Sequence, residues 1–548
     1  MTQVSQTSTE ELGGFRQAMA WLHTWGGLVA SWVLFAIFLT GTICVFDDAI
    51  TRWMNPERVQ VGEFDPQAST QQQRLELVSK GEAYLRDIAP QSHLWRIRLP
   101  SEADPAIGLS WEDEYDEFQQ VRLHPVTGEL LTPQQERETE GGHHFVHMHF
   151  EFHAGMAGIW MVGFFTMIML VALVSGIIIH KRIFKDFFTF RSGKGQRSWL
   201  DAHNASSVLS LPFQLMIAYT GLIIFVSIYM PAGVMANYDS PRTFFAEVFN
   251  QPEHRPETGI EADVYPLTEL FEKAEAHLEK PAGFISVEHP GDSSAVAKIF
   301  GVFEAEKNAG RLLFLSQGQV ILDAVTGELL HIEAPDMFDK SNAFAAQRIM
   351  RTLHFANFGG YTVRWLYFIL GMAGTVMMAT GAILFMVKRR QRSLNEFGAQ
   401  TPKVYRVIEV LNISAISGLM VACVAFFWVN RLLPLEVTGR AGWEIKLFFF
   451  IWLGSLLHAA LRPASRAWIE QLVAFVVLCL LLPVMNWLTT GQHLIVYLMQ
   501  GDWVNVAFEL TVLLFGVLGI FTVKILKRKQ QKTVIEASRI YKPKSEAA

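Results

Sequence analysis

The sequence predicts a membrane α-helical protein with about eight transmembrane helices and two α+β domains outside the membrane. Hydrophobic residues make up 51% of the 548 residues and charged residues only 18%, below the roughly 25% of soluble domains. Eight apolar stretches approach the ~20 residues that cross the hydrocarbon core of a bilayer. They cover residues 24–46, 156–180, 206–230, 363–387, 407–430, 443–461, 467–488 and 504–526. Helices are favoured over a β-barrel because these stretches show no alternation of apolar and polar residues.

Composition excludes several other classes of protein. A net charge of -6 without a basic domain gives no support for nucleic-acid binding. Cys44, Cys423 and Cys479 lie within apolar stretches and lack the spacing of a zinc or iron–sulfur site. A bound metal would therefore need other ligands, and the 17 histidines are the candidates. The first apolar stretch is too long for the core of a signal peptide, so we expect it to remain as an anchor.

Basic residues predict the orientation of the chain in the membrane. Lys and Arg cluster in the loop after the second apolar stretch, in the loop after the fourth and in the C-terminal tail. By the positive-inside rule these parts are cytoplasmic, so both termini are inside and two long segments are outside. The predicted division is residues 1–46 (N-terminus and first helix), 47–155 (first outer domain), 156–230 (second and third helices with a basic loop), 231–362 (second outer domain), 363–403 (fourth helix and loop) and 404–548 (four further helices and a basic tail).

Each outer segment reads as a small α+β unit, because an amphipathic helix precedes alternating strands. The first is predicted to have a helix that carries Leu75, Leu77, Val78 and Leu85, with strands at 94–99, 106–111 and 118–123. The second is predicted to have a helix at 267–278 and strands at 284–288, 295–300, 312–315 and 319–322.

The sequence contains an internal duplication. The hexapeptide VTGELL occurs at residues 126–131 and again at 325–330. An offset of 180 residues relates His23, Thr40 and Gly41 to His203, Thr220 and Gly221. An offset of 205 residues relates His149, Trp160 and Gly176 to His354, Trp365 and Gly381. The first half is thus two copies of helix, outer domain and helix, with a histidine at each helix start.

These four histidines are candidate haem ligands. With the predicted topology, His23 and His203 lie near the cytoplasmic face, and His149 and His354 lie near the outer face. Two imidazoles that face each other across a bundle suit six-coordinate haem b, and glycines such as Gly26, Gly27, Gly359 and Gly360 would clear space for it. One isolated histidine at a helix end is more often interfacial or a cap. Four that are placed in pairs by duplication predict two haems.

Other histidines leave alternatives open. His153 is one helical turn from His149 and could replace it, while His180 lies at the cytoplasmic end of the second helix. Either could be an alternative axial ligand, a hydrogen-bond partner or neither. A further cluster of histidines could bind a transition metal or the substrate, or it could be inert. It consists of His143, His144 and His147.

At these residues the chain resembles the PepSY-associated transmembrane family of bacterial inner-membrane proteins. The similar features are Leu22–Leu28 (LHTWGGL) with Leu39–Gly41, the VTGELL hairpins, His149 followed by Gly155 and Gly158, and Leu353-His354 with Phe358–Gly360. The family includes haem-containing ferric-siderophore reductases. The resemblance implies two PepSY-like outer domains in the periplasm and haem ligation by His23, His149, His203 and His354. The chain departs from the family at Ile159, where an arginine is expected, and in the extension after residue 403.

The resulting hypothesis is an inner-membrane dihaem enzyme that reduces a periplasmic ferric siderophore or another ferric chelate. The chain has no GxGxxG at a strand-to-helix step, so the electron donor would be a separate reductant or a quinol. The alternatives are a colourless PepSY scaffold that binds a periplasmic partner, and a permease. The acceptor, the donor, the oligomeric state and the role of residues 404–548 stay open. Four charged residues of this extension could form a quinone or proton site; alternatively they extend to the membrane surface or pair between helices. They are Glu409, Glu444, Lys446 and Glu509.

Overall fold

The computed structural model describes most of the chain as two compact units. The described residues are 4–57, 69–101, 104–113, 118–132, 137–179, 195–248, 252, 255–302, 317–333, 342–390 and 397–540. We call one unit the helical unit (residues 1–54, 138–218 and 368–548) and the other the sheet unit (residues 55–137 and 219–367).

Helices dominate the described residues. In chain order they are α1 Val4–Ile43, α2 Asp47–Met54, α3 Gln71–Ile88, α4 His143–Phe150, α5 Gly155–Ile179, α6 Gln196–Ile224, α7 Val226–Tyr229, α8 Pro231–Asn237, α9 Pro241–Val248, α10 Leu267–Leu278, α11 Asn342–Phe355, α12 Gly360–Arg390, α13 Thr401–Ile413, α14 Leu419–Leu432, α15 Arg440–Leu461, α16 Ala464–Thr490, α17 Leu494–Gln500 and α18 Trp503–Ile540. A five-residue π-helix, Ser414–Gly418, joins α13 to α14.

Eight helical segments of the described chain are long and apolar enough to cross a membrane, as predicted. They are Gly14–Met54, Gly155–Ile179, Gln196–Ile224, Gly360–Arg389, Gly398–Leu432, Arg440–Leu461, Ala464–Thr490 and Trp503–Gln531.

The C-terminal helices share one core with the first helices of the chain. Trp32 on α1 donates from Nε1 to Oδ1 of Asn412 on α13 (2.6 Å). The Arg431 guanidinium on α14 lies 3.9 Å from the ring centroid of Trp53 on α2. A single hydrophobic cluster runs through residues of both parts, including Phe35 and Phe426. The extension is therefore built into the helical unit.

The sheet unit contains one seven-stranded antiparallel sheet, ordered β3-β2-β1-β4-β5-β6-β7. The strands are β1 Leu94–Arg98, β2 Ile107–Glu112, β3 Phe118–Leu123, β4 Ala282–Glu288, β5 Val296–Gly301, β6 Gln319–Asp323 and β7 Leu329–Glu333. The two outer segments each supply a helix and strands, as predicted, and their sheets join where β1 pairs with β4. Trp95 lies opposite Val287 in this pair. The predicted strand at 312–315 lies outside the described residues.

The repeated VTGELL hexapeptide forms the same tight turn twice. Gly128 donates its N–H to the His124 carbonyl (2.8 Å), and Gly327 donates to that of Asp323 (2.9 Å). The two glycines have φ of 73° and 71°. Because only glycine adopts this left-handed conformation without cost, both copies keep it at the same place.

A buried ion pair connects α3 and α10 of the sheet unit. Arg74 binds Glu275 through two hydrogen bonds, Nε to Oε1 at 2.7 Å and Nη2 to Oε2 at 3.0 Å. The two side chains are only 8% and 6% exposed. Glu275 also accepts the N–H of Ala282 at the start of β4 (2.8 Å). The pair thus joins both helices to the sheet.

We expect Glu275→Gln to destabilise the protein by about 3 kcal/mol, because it leaves the buried Arg74 charge uncompensated. Glu288→Gln is the matched control. It breaks the more exposed Lys298–Glu288 pair (24% and 28% exposed) and should cost at most about 1 kcal/mol. Thermal unfolding of the purified protein in detergent measures both. Equal unfolding midpoints for the two variants would show that the buried pair does not stabilise the sheet unit.

Candidate functional site

The candidate functional residues are the four histidines that the duplication relates. His23 lies on α1, His149 near the end of α4, His203 on α6 and His354 near the end of α11. The first three belong to the helical unit and His354 belongs to the sheet unit. His180, which the sequence offered as an alternative ligand, lies outside the described residues.

The imidazoles of the helical unit are oriented by neighbouring helices. In each, Nδ1 bonds a backbone carbonyl oxygen: His23 that of Ala172 (3.0 Å), His149 that of Ile37 (2.9 Å) and His203 that of Met377 (3.0 Å). A carbonyl oxygen only accepts, so Nδ1 carries the proton and Nε2 of the neutral ring keeps its lone pair. Metal-binding histidines typically show this arrangement. Nδ1 of His354 lies 3.0 Å from the Thr220 hydroxyl, which can donate or accept.

Each of the four rings packs against a glycine. A Cβ atom added to that glycine would lie close to the ring. It would be 2.5 Å from Nδ1 of His149 at Gly41 and 3.0 Å from Cε1 of His354 at Gly221. It would be 3.2 Å from Cε1 of His23 at Gly176 and 3.2 Å from Cε1 of His203 at Gly381. The contact of Gly41 with His149 is therefore repeated by that of Gly221 with His354, at offsets of 180 and 205 residues. The contact of Gly176 with His23 is repeated by that of Gly381 with His203 at the same two offsets. The histidine and its glycine therefore repeat as one unit.

An apolar groove of about 260 Å³ opens beside His23, between α1 and α5. Its lining residues are Leu22, His23, Gly26, Gly27, Phe164, Met167, Ile168, Val171, Ala172 and Ser175. A Cβ atom at Gly27 would meet no atom within 4 Å, so this wall faces open space. Apart from the imidazole and one hydroxyl, the lining side chains are apolar. A flat apolar group could lie against this wall.

The contacts of His149 differ from those of His153. Nε2 of His153 lies 3.0 Å from Nδ1 of His144, so this ring bonds within the neighbouring histidine cluster. His147 in that cluster bonds Oε1 of Glu151 through Nδ1 (2.5 Å). Burial lowers the pKa of His149, His144 and His153. His149 is thus held as a neutral imidazole, and it alone of the three has the repeated glycine contact.

Two carboxylates of the C-terminal helices form contacts between elements. Glu444 pairs with Arg440 and accepts from Nδ2 of Asn430 (2.8 Å). Glu509 accepts from Nδ2 of Asn486 (3.0 Å). Both carboxylates are fully buried. Glu444 thus forms an ion pair within its own helix, α15, and accepts a hydrogen bond from the neighbouring helix α14.

Sequence reasoning missed the glycines that contact the rings. It proposed Gly26, Gly27, Gly359 and Gly360 as the residues that clear space. Gly41, Gly176, Gly221 and Gly381 served only as markers of the duplication. The signal that identifies them is their presence at the same offsets as the histidines.

We expect Gly41→Ala to lower the stability of the protein by about 1–3 kcal/mol, because the added methyl group overlaps the His149 ring. Gly176→Ala should cost less, since its contact with His23 is longer. Gly454→Ala on α15 is the control: its Cβ would meet nothing within 4 Å, so the unfolding midpoint should stay unchanged or rise slightly. A Gly41→Ala midpoint that matches the control would contradict the packing described here.

Comparisons with known proteins cover the region that contains all four histidines. The family model described as "PepSY-associated TM region" matches residues 20–388. An uncharacterised protein of Pseudomonas aeruginosa is 23% identical over 391 residues, which cover 68% of this chain and 92% of that protein. The model match ends before α13, so the C-terminal helices lie beyond it. With eight apolar helices among the residues that the structure describes, the chain is a multi-pass membrane protein that belongs to the PepSY-associated TM region family.

Proposed function

We propose that this protein is a b-type dihaem oxidoreductase of the bacterial inner membrane that reduces a ferric siderophore, or another ferric chelate, in the periplasm. The observation that carries the proposal is the repeated histidine arrangement. Three rings donate the Nδ1 proton to a carbonyl of another helix, and each of the four packs on a glycine that is repeated together with it. A structural histidine does not require that its glycine contact be duplicated.

The residues present fit haem b. Two haems would be held by His23, His203, His149 and His354, with Nε2 as the donor atom in the three carbonyl-bonded rings. When bound, haem b supplies a one-electron Fe(III)/Fe(II) couple. The chain's own contributions are orientation of the imidazoles by carbonyl oxygens and exclusion of water by apolar walls such as the groove beside His23.

The proposed reaction adds one electron to the Fe(III) of the chelate and releases Fe(II) from it. Hard oxygen ligands hold Fe(II) less tightly than Fe(III), so reduction favours release of the iron. A quinol or a cytoplasmic reductant supplies the electron. The basic loops support an orientation in which both termini are cytoplasmic and the sheet unit faces the periplasm.

The first test is the visible spectrum of the purified full-length protein, oxidised and reduced with dithionite, together with a haem assay per chain. We expect sharp reduced α and β bands and about two haems per chain. Replacing any one of the four histidines by alanine should remove about one haem: His23→Ala, His203→Ala, His149→Ala and His354→Ala. The control His277→Ala changes an exposed histidine of α10 and should lose no haem.

The double variant of His23 and His203 should lose no more haem than either single variant, because the duplication predicts that both histidines bind the same haem. A colourless protein that does not take up added haem would favour the PepSY scaffold or the permease.

The second test is reduction of a ferric chelate. The dithionite-reduced protein in lipid nanodiscs is mixed anaerobically with a ferric hydroxamate siderophore after excess reductant is removed. We expect the reduced bands to decay as an Fe(II)-specific chelator develops colour, with one Fe(II) formed for each haem oxidised. Retention of the reduced bands, with no Fe(II), would contradict the reductase activity even if haem is bound. The His23→Ala variant, which should keep one haem, shows whether the yield follows the haem content.

A further inference from the structure

We propose that His93, His289 and Glu257 of the sheet unit bind a divalent first-row transition-metal ion. The proposal goes beyond the reductase function and does not depend on it. One donor atom of each residue lies within 4.8 Å of a donor atom of the other two. Nδ1 of His93 lies 3.3 Å from Oε2 of Glu257. Two ligands of one ion, at bond lengths of about 2.1 Å, lie about 3.0–3.4 Å apart in octahedral or tetrahedral sites.

The central strand pair of the sheet places the two histidines opposite each other. β1 begins one residue after His93 and β4 ends one residue before His289. The ladder continues past the strand ends, since the N–H of His289 donates to the carbonyl of His93 (2.8 Å). The two ring centroids are 6.4 Å apart. Both imidazoles therefore project from directly paired positions, which limits how far they can separate.

A tight turn fixes the backbone of His289. The N–H of Asp292 donates to the His289 carbonyl (3.1 Å), with Pro290 and Gly291 between them. Gly291 has φ of 97°, as a type II turn requires at this position. His289 itself has φ of 51°, which is uncommon for a residue with a side chain and is found preferentially at functional sites.

The same turn holds the segment that carries Glu257. The Asp292 carboxylate accepts the N–H groups of Thr258 (3.1 Å) and Gly259 (2.7 Å), directly after Glu257. Two residues before it, Arg255 pairs with Asp323 at the end of β6 (2.5 Å). Glu257 is thus anchored on both sides. The segments that carry the three ligands are thus positioned by contacts that do not involve the ligand atoms.

Two imidazoles and one carboxylate form the ligand set of many Fe(II) and zinc sites, and they disfavour Mg²⁺ and Ca²⁺, which prefer oxygen ligands. The side chains of His93 and Glu257 are 49% and 46% exposed, so an ion could enter from solvent. Three protein ligands leave further positions for water or another small ligand. An ion bound here would link the two outer segments, because His93 comes from the first and the other ligands come from the second.

Zinc is the probe for the test, because it is redox-inactive. The purified full-length protein is stripped with a chelator that leaves haem intact, equilibrated with zinc and dialysed, and its zinc content is measured by mass spectrometry. We expect His93→Ala, Glu257→Gln and His289→Asn to lose one zinc ion per chain. Asparagine at 289 tolerates the left-handed backbone, and Glu257→Gln changes an exposed side chain, so these variants should fold. Zinc should also raise the unfolding midpoint of the unaltered protein more than that of the variants.

Two controls make the result specific. His277→Ala removes an exposed histidine elsewhere in the sheet unit, and His147→Ala removes one from the cluster near α4. Both should keep the zinc ion. An unchanged zinc content in His93→Ala, Glu257→Gln and His289→Asn would reduce the His93–Glu257 contact to an exposed ion pair and overturn the proposal. Loss of the same ion in His147→Ala alone would place the zinc in the other cluster and overturn it equally.

Discussion

The hydrogen bond from an imidazole Nδ1 to a carbonyl oxygen of a neighbouring helix is the constraint on which the helical unit depends. It forms only where two helices approach closely, and a glycine below the ring permits that approach, as at Gly176 and Gly381. A shift of one helix by one residue would remove the glycine and turn the carbonyl away. The orientation of these imidazoles therefore depends on the register of α1 against α5 and of α6 against α12.

Much of the fold could be predicted because its signals are local. The length of the apolar stretches predicts the membrane helices, and the period of the hydrophobic pattern predicts α3 and α10. The predicted bounds of α10, 267–278, match the structure. The four histidines could be found because duplication compares the chain with itself. Spacing could not distinguish His149 from His153, since the contacts in which they differ involve Gly41 and Ile37 of another helix.

Contacts between residues that are far apart in the chain could not be predicted from the sequence pattern. Neither Asn412 nor Trp32 differs in sequence from any other polar or aromatic residue of an apolar helix, yet together they attach the extension to α1. His93 and His289 are 196 residues apart (289 − 93), and each reads as a surface histidine. Only the pairing of β1 with β4 makes them neighbours. The sequence predicted the pieces of the sheet and did not predict their junction.

The junction between β1 and β4 imposes an order on biogenesis. The first outer segment is synthesised before α5 and α6, and its strand β1 has no partner on the β4 side until the second segment has followed. An unpaired strand edge is prone to join other chains, so it must be shielded during this interval. Completion of the sheet must therefore wait until α6 and the second segment have been synthesised. Biosynthesis of this protein thus includes a stage at which three strands have been made and β1 still has an unpaired edge.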